Sequence, residues 1–266
     1  MRARLRIPSL PSSSRPTCLP TKILSAAEEA AKPDKKPVKL SMENQTQKKK
    51  PRILCLHGFR TSGAILRKMI GRWPETVLEK LDLDFLDAPF PAQGKSNVEG
   101  IFDPPYYEWY NSNQDFTEYK NFEESMAYIE EYMITHGPFD GLFGFSQGAM
   151  ISAAVPGMQA QGTAFTKVPG IKFLMLISGM KFAGYKFGHP KLAANAFSSV
   201  INCPSLHIIG ETDFTKEGGI ALLESFVNPV VIHHSKGHII PRLDEKSMET
   251  MVAFIDKVQK MVAEGA

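Results

Sequence analysis

Asp140-Gly141-Leu142-Phe143-Gly144-Phe145-Ser146-Gln147-Gly148-Ala149-Met150 is the stretch on which the reading of this chain turns. It contains Gly-X-Ser-X-Gly at Gly144, Ser146 and Gly148, with apolar residues before the serine and a helix-compatible run after it. That order suits a nucleophile elbow, in which a strand ends, the chain turns sharply and a helix begins. The serine oxygen is then exposed on a strained backbone, and the flanking glycines leave room where a Cβ would clash. At average Gly and Ser usage, roughly one chain of this length in ten carries the pattern by chance. A loop with two glycines is the plain alternative, and the surrounding chain has to decide.

Working outward, short apolar runs alternate with helical patterns. Phe139 to Phe143 reads as the strand entering the elbow, and Gln147 to about Val155 as the helix leaving it, stopped by Pro156-Gly157. Upstream, Arg52 to Leu56 is a buried strand ending in His57-Gly58-Phe59-Arg60. Ser62 caps a helix reaching about Leu81, interrupted near Trp73-Pro74, and Leu83 to Leu86 is a second strand. Asp87 to Asn121 has no clean period and is dense in aromatics, including Tyr106, Tyr107, Trp109, Tyr110, Phe116 and Tyr119. Loops this long in compact domains usually carry function.

A helix follows over Phe122 to Thr135. Downstream of the elbow come strands over Ile171–Ile177, Pro204–Ile209 and Val230–His233, a short helix over Gly218–Phe226, and an amphipathic helix over Glu245–Val262. Such alternation implies an α/β fold: a mostly parallel sheet of six strands or slightly more, with helices on both faces. Sites in such sheets form at the carboxyl ends of strands.

The 266 residues, 43% hydrophobic, suffice for one large domain or two small ones. Residues 1–50 stand apart: 12 Lys/Arg against 4 Asp/Glu there leave the remainder mildly acidic within a net charge of +3. This basic segment is expected to be a disordered extension, with the folded domain over residues 51–266. Its Arg- and Ser-rich start leaves a chloroplast or mitochondrial transit peptide open. A natural start at Met42 in a cytoplasmic enzyme stands level with it.

Three widely spaced cysteines, Cys18, Cys55 and Cys203, form neither a zinc pattern nor a disulfide framework. The apolar runs are too short to span a bilayer, and no basic patch interleaved with aromatics points to nucleic acid. Neither metal nor cofactor is expected. Nothing in the sequence assigns an oligomeric state.

Polar residues with complementary chemistry follow predicted strands. A serine hydroxyl needs a base to become a nucleophile, and a histidine can take its proton and return it to the leaving group. A buried carboxylate holds the imidazole in the required tautomer. Ser146, Asp213 and His238 obey the order Ser…Asp…His, each just past a strand. His233 and His234 compete with His238 but lie in or at the end of a strand. Glu211 and Asp244 compete with Asp213. His57 reads as structural. For an oxyanion, the expected backbone donors are the N–H groups of Gln147 and Phe59. Tyr107, Trp109, Ser178, Met180 and Ile239 are the expected substrate contacts.

Leu56-His57-Gly58-Phe59, Gly144-Phe145-Ser146-Gln147-Gly148, Ile177-Ser178-Gly179, Gly210-Glu211-Thr212-Asp213 and Gly237-His238-Ile239-Ile240-Pro241, in this order and spacing, resemble the family serine hydrolase (FSH) group of α/β-hydrolases. Its members include fungal esterases, an ovarian-cancer-associated hydrolase and fungal polyketide-releasing thioesterases. The resemblance covers about Pro51 to Val262 and looks like a plant-type member. It implies an α/β-hydrolase fold without a large cap domain, roofed by the Asp87–Asn121 loop. It also implies cofactor-free hydrolysis of acyl esters or thioesters by Ser146, Asp213 and His238. Tyr106-Tyr107-Glu108-Trp109-Tyr110 departs from the Trp-rich stretch common in that loop, so acyl preference does not carry over. The rival reading is a small-molecule receptor with a hydrolase-type pocket. A nucleotide-dependent oxidoreductase lacks support, because the first strand leads to His-Gly-Phe-Arg and not to Gly-X-Gly-X-X-Gly.

Overall fold

The computed structural model describes residues 50–112, 118–182 and 190–265. The expected extension up to residue 49, together with Cys18, Phe116 and His189, lies outside the described residues. The first strand, β1 (Arg52–Leu56), pairs with β2 (Asp82–Leu86) on one side and with β3 (Gly141–Phe145) on the other. Then come β4 (Phe173–Ile177), β5 (Ser205–Gly210) and β6 (Val230–His234). The sheet order is β6-β5-β4-β3-β1-β2, and every pairing is parallel.

Strand alternation sorts the apolar side chains into two layers. Leu54, Leu56, Leu142, Leu174 and Leu176 face a core completed by α3 (Phe122–His136) and α4 (Gln147–Gln161). Their sequence neighbours Ile53, Cys55, Phe143, Phe173 and Met175 face the other core. That second core is closed by α1 (Gly63–Ile70), α2 (Glu75–Leu78) and α6 (Glu245–Glu264). A further helix, α5 (Lys216–Leu223), contributes Leu222 to the first layer. Both faces of the sheet are therefore covered, and its central strands are continuously apolar.

Element ends differ from the sequence reading by up to three residues in most places, and three differences bear on the site. The elbow strand runs to Phe145, so that strand and serine are adjacent. Helix α4 continues through Pro156 to Gln161 instead of stopping there. Proline removes one helical hydrogen bond, but Ile151, Ala153, Ala154, Val155 and Met158 are all fully buried, and that packing outweighs the break. The aperiodic stretch after β2 holds two short antiparallel ladders, Phe90–Pro91 with Tyr107–Glu108 and Asn111–Ser112 with Tyr119–Lys120. Among the described residues, no helix is long and apolar enough to cross a membrane.

Candidate active site

Ser146 sits between β3 and α4 with φ 54° and ψ −116°, a left-handed conformation that a non-glycine residue holds only where its surroundings enforce it. The enforcement comes from close packing on both sides. A Cβ on Gly148 would lie 2.1 Å from the Leu56 carbonyl oxygen, and one on Gly144 would lie 2.4 Å from the Gly148 carbonyl oxygen. The elbow is thus pressed against the end of β1, and its hydroxyl is turned outward.

His238 lies on the loop between β6 and α6, and Asp213 on the loop after β5. The Ser146 hydroxyl donates to His238 Nε2 at 2.8 Å, and His238 Nδ1–H donates to Asp213 Oδ1 at 2.9 Å. A carboxylate only accepts, so the imidazole proton rests on Nδ1 and leaves Nε2 free to take one. Asp213 is buried and fully engaged. Oδ1 also accepts from the Thr215 backbone N–H and hydroxyl, both at 2.8 Å, and Oδ2 accepts from Ser178 Oγ at 2.6 Å. Burial alone would raise its pKa, but the hydrogen bonds from Ser178, Thr215 and His238 outweigh it and hold the carboxyl below its usual range. The His238 ring is flanked by Phe214 (centroids 4.3 Å apart) and Phe145 (5.2 Å).

The competing residues have other duties. Glu211 pairs with Lys216 at 2.6 Å and with His233 at 3.2 Å on the surface. Asp244 caps α6, accepting from the Ser247 N–H at 2.8 Å. His234 Nδ1 accepts from the Lys236 N–H. His57 is wholly buried: its Nε2 accepts from the Ala88 N–H at 3.0 Å, and its Nδ1 lies 2.8 Å from the Gly58 carbonyl. Burial pushes its pKa down to about 4, so it is neutral and binds the turn after β1 to the chain leaving β2.

That turn brings Phe59 to the serine. A Cβ on Gly58 would stand 3.4 Å from Ser146 Cβ. Among the described residues, the backbone N–H groups of Phe59 and Gln147 donate to no other group. The Gln147 side chain is spent elsewhere, accepting from the Trp109 N–H and donating to the Tyr110 carbonyl.

Two cavities meet at Ser146. The first, about 490 Å³, is walled by Tyr110, Tyr119, Met150, Met180 and Phe182, with Ser178 at its base. The second, about 540 Å³, runs past His238, Ile239, Phe145 and Ile101. Phe59 and Phe214 border both. Of the expected substrate contacts, Ser178, Met180 and Ile239 line these spaces, whereas Tyr107 and Trp109 line neither. Trp109 is fully buried, with its indole N–H on the His57 carbonyl at 2.9 Å and its carbonyl accepting from Ser125 Oγ. Tyr107 is held in the short ladder, its N–H on the Thr61 carbonyl at 2.7 Å. Trp109 through its indole, and Tyr107 through its backbone N–H and its packing against the first core, fasten the loop to the body, where the sequence reading expects them against substrate. Phe214, Tyr110 and Met150 went unremarked as lining residues, and Thr215 as a carboxylate partner. Only the position of Thr215, two residues past Asp213, could have suggested it, as a turn-type contact.

Residues 44–250 match the family described as Serine hydrolase (FSH1). Esterase CG5412 of Drosophila melanogaster is 32% identical over 225 residues, spanning 79% of this chain and 76% of the relative. Esterase OVCA2 of Homo sapiens is 30% identical over 209 residues, spanning 71% of this chain and 89% of the relative. Among solved structures, a carboxylesterase from Mesorhizobium loti superposes with a TM-score of 0.50 at 15% identity, over 80% of this chain and 88% of its own. At that identity the likeness speaks for the α/β fold alone.

Proposed function

Since the chain belongs to the serine hydrolase (FSH1) family, we propose that it hydrolyses carboxylic esters or thioesters of apolar acyl groups through Ser146, His238 and Asp213 and a covalent acyl-enzyme. His238 Nε2 takes the hydroxyl proton as Ser146 Oγ attacks the carbonyl carbon. Asp213 stabilises the imidazolium that forms. The tetrahedral oxyanion is met by the N–H groups of Phe59 and Gln147, the latter at the N-terminus of α4. His238 then protonates the departing oxygen or sulfur as its bond to the acyl carbon breaks. Water, deprotonated by the same histidine, attacks the acyl-enzyme and releases the acid.

The observation that carries this reading is the unbroken chain of contacts, Ser146 Oγ to His238 Nε2 at 2.8 Å and His238 Nδ1 to Asp213 Oδ1 at 2.9 Å. The aromatic and methionine walls of the first cavity support an apolar acyl group. We place the hydrolase domain at residues 51–266, preceded by a basic extension. We assign the enzyme to the cytoplasm, or to a chloroplast or mitochondrion if residues 1–41 act as a transit peptide. N-terminal sequencing of the native protein separates the two.

A fluorophosphonate probe is expected to label wild type once per chain, at Ser146, and p-nitrophenyl esters are expected to turn over. Ser146→Ala should lose the label and about 10⁶ of kcat, and Asp213→Asn about 10⁴. A wild-type protein that takes no label and cleaves no ester of any chain length would refute the proposal.

A further inference from the structure

The two cavities differ in their relation to His238 and in charge, and this sorts the halves of a substrate. The inference rests on the hydrolysis proposed above. A leaving atom must lie within reach of the group that protonates it. His238 lines the second cavity and not the first, so the leaving group belongs in the second and the acyl group in the first.

Each cavity has one arginine in its wall, and no Asp or Glu among the described residues lines either. Arg60, at the first, is neutralised by buried Glu108 at 3.0 Å. Arg72, at the second, makes no ion pair, side-chain hydrogen bond or ring contact among the described residues. It stands beside a strongly apolar mouth where Phe214 is 82% exposed, Ile101 73% and Ile239 47%. An unspent guanidinium at the edge of an apolar space is complementary to a ligand with an apolar body and an anionic end.

We propose that the second cavity receives a leaving alcohol or thiol that carries a carboxylate or phosphate, and that Arg72 binds this anion. The chemistry needs no added component: water enters, and the acid and the anionic alcohol or thiol leave. Arg72 is exposed, so its contribution is that of a screened charge, about fivefold in kcat/KM, appearing in KM.

The test uses S-acyl thioesters of ω-mercaptocarboxylic acids of increasing length, each paired with its isosteric amide, and an S-acyl mercaptoethyl phosphate as the second anion. Thiol release is followed with the full chain, wild type and Arg72→Gln. Wild type should favour the acid over its amide about fivefold at the fitting length. The gap should close at high salt, vanish in Arg72→Gln and persist in Arg72→Lys. Whichever anion gains more identifies the group that is read. An anion-to-amide ratio equal in wild type and Arg72→Gln, at every length and for the phosphate, overturns the inference. Turnover of the amides and of p-nitrophenyl esters reports the parent reading separately: if wild type cleaves neither, hydrolysis itself falls, and this inference with it. If it cleaves the p-nitrophenyl esters alone, the same comparison is read on the matching oxygen esters of ω-hydroxycarboxylic acids and their amides.

Discussion

Ser178 donates to the Asp213 oxygen that His238 does not use, at 2.6 Å, and in the proposed mechanism it acts on the reaction through the carboxylate. Because the folded pKa of Asp213 lies below its ordinary value of 3.8, its contribution to stability is complete above that value and is lost as pH falls below it. Ser178→Ala removes one of the interactions that lower the pKa, so the Asp213 pKa rises toward its ordinary value, its stabilising contribution shrinks, and the loss is complete at a higher pH. Hydrogen bonds to charged groups contribute about 1.5–3 kcal/mol, part of which serves to orient the imidazole. The expected outcome is a loss of about tenfold in kcat, with the acid limb of the pH–rate profile moved upward. A merely structural serine would leave that limb where it is. Ser178 was expected to touch substrate, and its place at the base of the first cavity is compatible with both duties.

At the scale of elements, the elbow depends on the contact between the start of α4 and the end of β1. Gly148→Ala would set a methyl 2.1 Å from the Leu56 carbonyl oxygen, against backbone that cannot rotate away. Overpacking of this kind costs about 1–3 kcal/mol or more, and here it also displaces Ser146. Gly100→Ala is the control: its φ of 82° strains alanine, but nothing lies within 4 Å, so about 1 kcal/mol is expected and the site is left alone. Urea unfolding of the two variants should show the larger fall in midpoint for Gly148→Ala, together with lost probe labelling. The same scale explains the longer α4. A proline stop signal is local, whereas a helix buried on nearly every side is held by its neighbours.

For the whole molecule, two histidines are enclosed by opposite parts of the structure. His57 is held between the β1 turn and the chain after β2. His207 in β5 has its Nε2 2.9 Å from Ser205 Oγ and packs against Phe226. Burial lowers both from 6.5 to about 4. A base with a depressed folded pKa stays neutral in the native state and charges on unfolding. Stability is therefore complete above about pH 6.5 and drains as pH falls from there toward 4, by about 3 kcal/mol for each histidine. Urea midpoints measured across that window should fall steeply while the carboxylates are still ionised. His207→Gln should remove about half of the slope.

Taken alone, the sequence determined what depends on near neighbours along the chain. The alternation of short apolar runs with helical periods implied a covered parallel sheet. The glycines around Ser146 marked a turn that only small residues allow. The spacing of Asp213 and His238 past successive strands placed them at one sheet edge. Tertiary structure alone decided what depends on approach from distant segments. Trp109 and Tyr107 look like pocket residues in a list of aromatics, yet the Trp109 indole is spent on the His57 carbonyl and Tyr107 packs against the core, while Tyr110, Met150 and Phe214 line the cavities. No local pattern encodes which side of a loop an aromatic turns to, because that is set by the surface the loop packs against. The same holds for the charges: nothing local distinguishes Arg60 from Arg72, and only the placing of Glu108 by the folded loop neutralises the first, while the second has no ion-pair partner among the described residues.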